Sequence, residues 1–166
     1  MDARQRYFSL MEIVIYEGNY YYLLFQKRHR ARQWIEAGLA ALSGGCLGAW
    51  ILYSELAILY AAVIVLTQII NSILPHFEIV KRDEALKYAT VEFQPILRQA
   101  ETGWRRIDNE KLSDKDIESM MQLLELSVAN VLDKLTPLGL EDDKKICKAA
   151  SERTDKYIEA YLLNVG

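Results

Sequence analysis

Between Ala37 and Phe77 only Glu55 carries a formal charge once His76 is counted neutral, and this run constrains the whole chain. Ala37 to Ser54 supplies 18 uncharged residues and Leu56 to Leu74 another 19. As helices they would be about 27 and 28 Å long, near the roughly 30 Å thickness of a hydrocarbon layer. The second segment holds eleven Leu, Ile or Val residues. These are worth roughly −3 to −7 kcal/mol toward insertion, which outweighs Gln68 and Asn71. The first segment is poorer, with five Leu or Ile, and is expected to insert together with the second. The alternative is a buried helical hairpin. Two adjacent helices apolar on every face need a thick shell of protein, and the remaining residues, about 120, are amphipathic at best. The expectation is therefore an all-α membrane protein, a two-span transmembrane helical hairpin with cytoplasmic helices.

The flanks give an orientation. Lys27, Arg28, Arg30 and Arg32 precede the first span, Lys81 and Arg82 follow the second, and the connection Ser54-Glu55 is short and acidic. Positive flanks stay inside, which predicts an inner-membrane protein with both termini cytoplasmic and these six cations at the lipid interface. Three regions result: an N-terminal aromatic and basic interfacial helix (1–33), a transmembrane hairpin (34–80, spans about 35–53 and 56–75), and a cytoplasmic helical region (81–166). Charge divides similarly. Residues 1–82 hold eight Lys/Arg against six Asp/Glu, and 83–166 hold twelve against seventeen. Whole-chain mean hydropathy is near zero only because unlike halves are averaged. Nothing is basic enough to suggest nucleic acid as a partner.

Each span carries a pattern. In the first, Ala40, Gly44 and Gly48 recur every four residues beside a second small row that includes Ala41 and Gly45. Such rows let helices approach closely, here against the second span first and against other chains second. In the second, Thr67, Gln68, Asn71 and Ser72 share one face. That polar stripe reads as interhelical hydrogen bonding or, in an oligomer, as the lining of a pore; on sequence alone the bonding role is favoured.

Tyr20, Tyr21, Tyr22 and Phe25 join the N-terminal segment to the basic run. It reads equally as a helix on a membrane surface or one packed on the later helices, with Gly18 as a candidate break. Beyond Arg82, Leu86, Phe93, Ala100 and Ile107 recur every seven residues, with Thr90, Leu97 and Trp104 interleaved. This seam predicts helix-on-helix packing in the manner of a short coiled coil, with Pro95 as a candidate kink or division. Ser113 and Asp116 form a capping-box variant before a helix that buries Ile117, Met120, Met121, Leu124, Val128, Val131 and Leu135. Pro137 and Gly139 end it. A last helix from about Glu141 to Leu163 places Ile146, Ala150, Tyr157 and Tyr161 on one face.

No reactive constellation is visible. There is no Gly-rich phosphate loop, no Cys/His pair and no His cluster, so neither catalysis nor a cofactor or metal is expected. His29 belongs to the basic run and His76 follows Pro75. Cys46 and Cys147 lie far apart in unlike surroundings, which argues against a disulfide framework.

The order of parts resembles the SLATT group, small bacterial two-transmembrane proteins. The likeness rests on "YYLLFQKRHRAR", "GGCLGAW", "LTQIINSILPHFEIVKR" and "EDDKKICKAASERTDKYIEAYL". It implies an oligomeric effector of a bacterial defence or conflict system. The action would be pore formation or membrane disruption after an upstream sensor or nucleotide signal. It carries over no catalytic residues. No fused sensor is seen in these residues, so the trigger would come from a partner or a bound ligand. The rival expectation is a non-conducting membrane scaffold or anchor whose cytoplasmic helices recruit a protein partner.

Overall fold

The computed structural model describes residues 2–52, 57–73, 78–110, 112–135 and 143–161. They form five helices: α1 Ala3–Leu52, α2 Ala57–Ile73, α3 Glu78–Asn109, α4 Asp114–Leu135 and α5 Lys144–Tyr161. Met1, Tyr53 to Leu56, Leu74 to Phe77, Lys111, Thr136 to Asp142 and Leu162 to Gly166 lie outside the described residues. With them go the Ser54-Glu55 connection, Pro75, His76 and the helix stop at Pro137 and Gly139.

The expected spans are not found. Among the described residues no helix is long and apolar enough to cross a membrane. Helix α2 has 17 residues, fewer than the roughly 20 that a span ordinarily takes. The first expected span is not a separate element at all. It is the end of α1, a 50-residue helix that passes without a break through the basic run. Arg, Lys and Gln are good helix formers, so charge there changes what the helix meets and not whether it forms. The two-span membrane fold, the inner-membrane placement with cytoplasmic termini, and the transmembrane pore built on those spans are corrected accordingly.

The chain divides into two compact units, Met1–Phe25 with Glu84–Gly166, and Gln26–Asp83. The first is a four-helix arrangement of the beginning of α1 with α3, α4 and α5. Ala3, Tyr7, Met11 and Val14 recur at helical spacing and are all buried. They meet the seven-residue seam of α3 at Phe93, Ala100 and Ile107, and Leu86, the fourth member of the seam, is buried as well. The directions are antiparallel: Arg4 donates to the Ile107 carbonyl, Tyr7 to the Ala100 carbonyl at 3.1 Å, and Tyr21 stacks on Phe93 at 5.5 Å. Helix α4 adds Ile117, Leu124, Val131 and Leu135, with Met120, Met121 and Val128 half-buried beside them. From α5 come Ile146, Ala150 and Ile158, and Thr154 is buried in the same row. Phe8 meets Trp104 edge to face, with ring centroids 5.0 Å apart.

The N-terminal segment is thus packed inside a bundle: Tyr20 and Leu24 are buried against Leu86, Ile146 and Ala150. Neither expected break occurs, because α1 continues through Gly18 and α3 through Pro95. The starts of α4 and α5 follow from local chemistry. The Asp116 N–H donates to Ser113 Oγ at 3.3 Å, and the Ser113 hydroxyl donates back to the Asp116 carboxylate at 2.6 Å. Asp143 Oδ1 accepts from the N–H groups of Lys145 and Ile146 at 3.0 and 3.4 Å, capping α5.

Burial pushes the Tyr7 hydroxyl up to about 12 from its ordinary 10.0. Tyr16 is pushed up to about 12 as well, by burial first and then by its hydrogen bond with Cys147. Below pH 10 both tyrosines are neutral in the folded and unfolded chains alike. Above it the unfolded chain ionises first, so stability falls as pH rises from about 10 to about 12. Tyr7 alone contributes roughly 2–3 kcal/mol to that fall. Urea unfolding at a series of pH values is expected to be shallower over this window in Tyr7→Phe than in wild type. Identical slopes would show that Tyr7 is not held neutral by the core.

Candidate interaction surface

Most of the large apolar side chains exposed among the described residues belong to the unit Gln26–Asp83. In α2 they are Ile58, Leu59, Val65, Leu66, Ile69 and Ile70, between 45% and 87% exposed. Ile58, Ala62, Val65 and Ile69 follow one another at spacings of four, three and four, with Leu59, Leu66 and Ile70 alongside. That is the spacing of a helix-pairing seam, and here it lies open. The opposite side of α2 is the covered one. Thr67 is buried, and Val63 and Ile64 are half-buried beside it. In α1, Trp34, Ile35 and Leu42 are exposed as well, Trp34 at 79%. Ala31, Gly38 and Ala41 continue the same side, and a side chain added at Gly38 would meet nothing within 4 Å.

The electrostatics of the surface are simple. α2 contains no charged residue. The nearest described ion pair on α1 is Arg32 with Glu36 at 2.7 Å, which keeps both charges engaged one turn from Ile35. Lys27 and Arg30 are exposed, and Arg28, Arg32 and Arg82 are half-buried. The side chain of Lys81 is outside the described ones.

The polar stripe is divided. Thr67 is buried and its hydroxyl donates to the Val63 carbonyl at 2.8 Å, whereas Gln68 and Ser72 are exposed, Ser72 donating to the Gln68 carbonyl at 2.8 Å. The side chain of Asn71 is outside the described ones. Both hydroxyls are thus satisfied within their own helix. Ala40 and Ala41 are exposed. Gly44, Gly45 and Gly48 continue the α1 helix, but their surroundings lie outside the description. The residues missed by sequence reasoning are the large apolar ones beside that stripe. Their signal was the four-three-four spacing from Ile58 to Ile69, hidden in a segment where nearly every residue is apolar.

Among the described residues no three His, Cys, Asp or Glu side chains group to hold a metal. The described side chains of this surface offer apolar contact area. No family model, curated protein or solved structure matches the chain.

Proposed function

We propose that this chain is a helical assembly protein without catalytic activity, and that a second copy of itself covers the apolar seam of α2. The observation that carries the reading is the uncharged row Ile58, Ala62, Val65 and Ile69, open to solvent at coiled-coil spacing. A surface with no charge and no hydrogen-bonding side chain in its centre is matched by another of the same kind. A two-fold axis supplies that match automatically, because the same patch faces itself. The area suffices. Burying the exposed half or so of six Ile, Leu and Val side chains in each copy is worth roughly 10–20 kcal/mol for the pair. The cost of association is roughly 4–15 kcal/mol. Paired copies would then present two four-helix units to a protein partner.

Light scattering after size-exclusion chromatography tests this over a range of micromolar concentrations. Wild type is expected to run as a dimer. Val65→Glu with Ile69→Glu places carboxylates in the seam and is expected to weaken association by at least roughly a hundredfold, since unpaired buried charge is expensive. Both positions are exposed in the single chain, so helix content should not change. A monomeric wild type, or a dimer indifferent to the two substitutions, would sink the proposal.

A further inference from the structure

We infer that the groove between α1, α3 and α5 is a binding site for a small organic anion with a flat apolar body. This inference does not depend on self-association, because every residue of the groove belongs to the four-helix unit. The groove encloses about 490 Å³, within the range of sites that take small molecules. Its floor is apolar, formed by Ile15 and Phe93, both of which are buried. One rim is cationic. Arg153 and Lys156 stand three residues apart on α5 and so point the same way.

Neither cation makes an ion pair with another described residue. On the same helix Lys148 faces Glu152 at 3.9 Å. Arg153 is instead placed by an aromatic ring, its guanidinium carbon 4.9 Å from the centre of Tyr22. A guanidinium held in that way keeps its edge donors for a phosphate or carboxylate. Tyr22 also lines the groove, so the ring that positions the cation borders the space for the ligand. The wall behind is fixed by Asn19, whose amide donates to the buried Thr154 hydroxyl at 3.1 Å. Two cations without an ion-pair partner among the described residues, set above an apolar floor, select a molecule with an anionic end and a flat hydrocarbon end.

Isothermal titration of the full chain with naphthyl phosphate tests the site. Saturable binding with one molecule per chain is expected. Arg153→Gln with Lys156→Gln should weaken it at least tenfold, and both positions are exposed, so the fold should survive. Gly18→Leu leaves the charges alone and puts bulk at the groove wall, where an added Cβ meets only Phe93, at 3.8 Å. It too should weaken binding at least tenfold. Naphthol and inorganic phosphate, each carrying half of the recognised chemistry, should each bind at least tenfold more weakly. Failure of naphthyl phosphate to saturate would overturn the site. So would affinity unchanged in either variant, or inorganic phosphate binding as tightly as the naphthyl ester.

Discussion

Phe93→Ala is expected to lower the unfolding free energy by about 3–5 kcal/mol. The ring is 2% exposed and stacks on Tyr21 at an interplanar angle of 21°. Across from it stands Gly18, which has no side chain to move into a vacancy. The cavity left by truncation would be walled by residues on separate helices, each held by its own contacts, so collapse is limited and the cost lies toward the top of the range. A loss of that size is a large share of the roughly 5–15 kcal/mol that keeps a domain folded. Urea denaturation followed by circular dichroism measures it. Val91→Ala is the reference on the same helix; Val91 is 59% exposed and its truncation should change stability by less than about 0.5 kcal/mol. If the two variants lost equal stability, α3 would not present Phe93 to the core.

The contrast between Phe93 and Val91 was legible in the sequence, because a seven-residue period needs only the chain's own spacing. Leu86, Phe93, Ala100 and Ile107 lie on the side of α3 that meets other helices, and all four are buried. The same holds for Ile117, Leu124, Val131 and Leu135 in α4, and for the Ser113–Asp116 cap, which depends on atoms three residues apart. What failed was inference from apolar content alone. An uncharged run from Ala37 to Phe77 specifies that much surface avoids water; it does not specify what covers it, nor that the helix α2 would have 17 residues. Boundaries drawn at charge failed for a related reason. The run from Lys27 to Arg32 looked like a junction, yet α1 crosses it, since backbone hydrogen bonding is indifferent to side-chain charge at the surface.

Gly18 and Pro95 show the limit from the other side. A glycine costs a helix about 1 kcal/mol and a proline about 3 kcal/mol. Both are tolerated here inside long helices whose neighbouring turns carry buried residues, Ile15 and Tyr20 around the first, Phe93 and Ile96 around the second. Tertiary packing exceeds local preference at each. The anion groove was less legible still. Arg153 and Lys156 lie 131 and 134 positions from Tyr22, and only the close approach of α5 to α1 gives them a shared surface.

Gly103→Ala is expected to destabilise the chain by about 1–3 kcal/mol, although alanine is the better helix former by about 1 kcal/mol. A methyl at Gly103 would lie 1.9 Å from Tyr7 Oη, 2.8 Å from its Cζ and 2.9 Å from Met120 Cε. Methionine is flexible and can withdraw. Tyr7 cannot, because it is 1% exposed and its hydroxyl is tied to the Ala100 carbonyl. The clash therefore wins over propensity, and it should be specific to one oxygen atom. Tyr7→Phe alone loses a buried hydrogen bond and should cost about 0.5–1.5 kcal/mol. In the Gly103→Ala background the same change removes the atom in closest conflict, so the double variant should be more stable than Gly103→Ala alone. A double-mutant cycle by chemical denaturation reads this as a favourable coupling between the two substitutions. Simple additivity would mean that the methyl is accommodated by a shift of α3 away from α1, and that the tyrosine does not set the separation of the two helices.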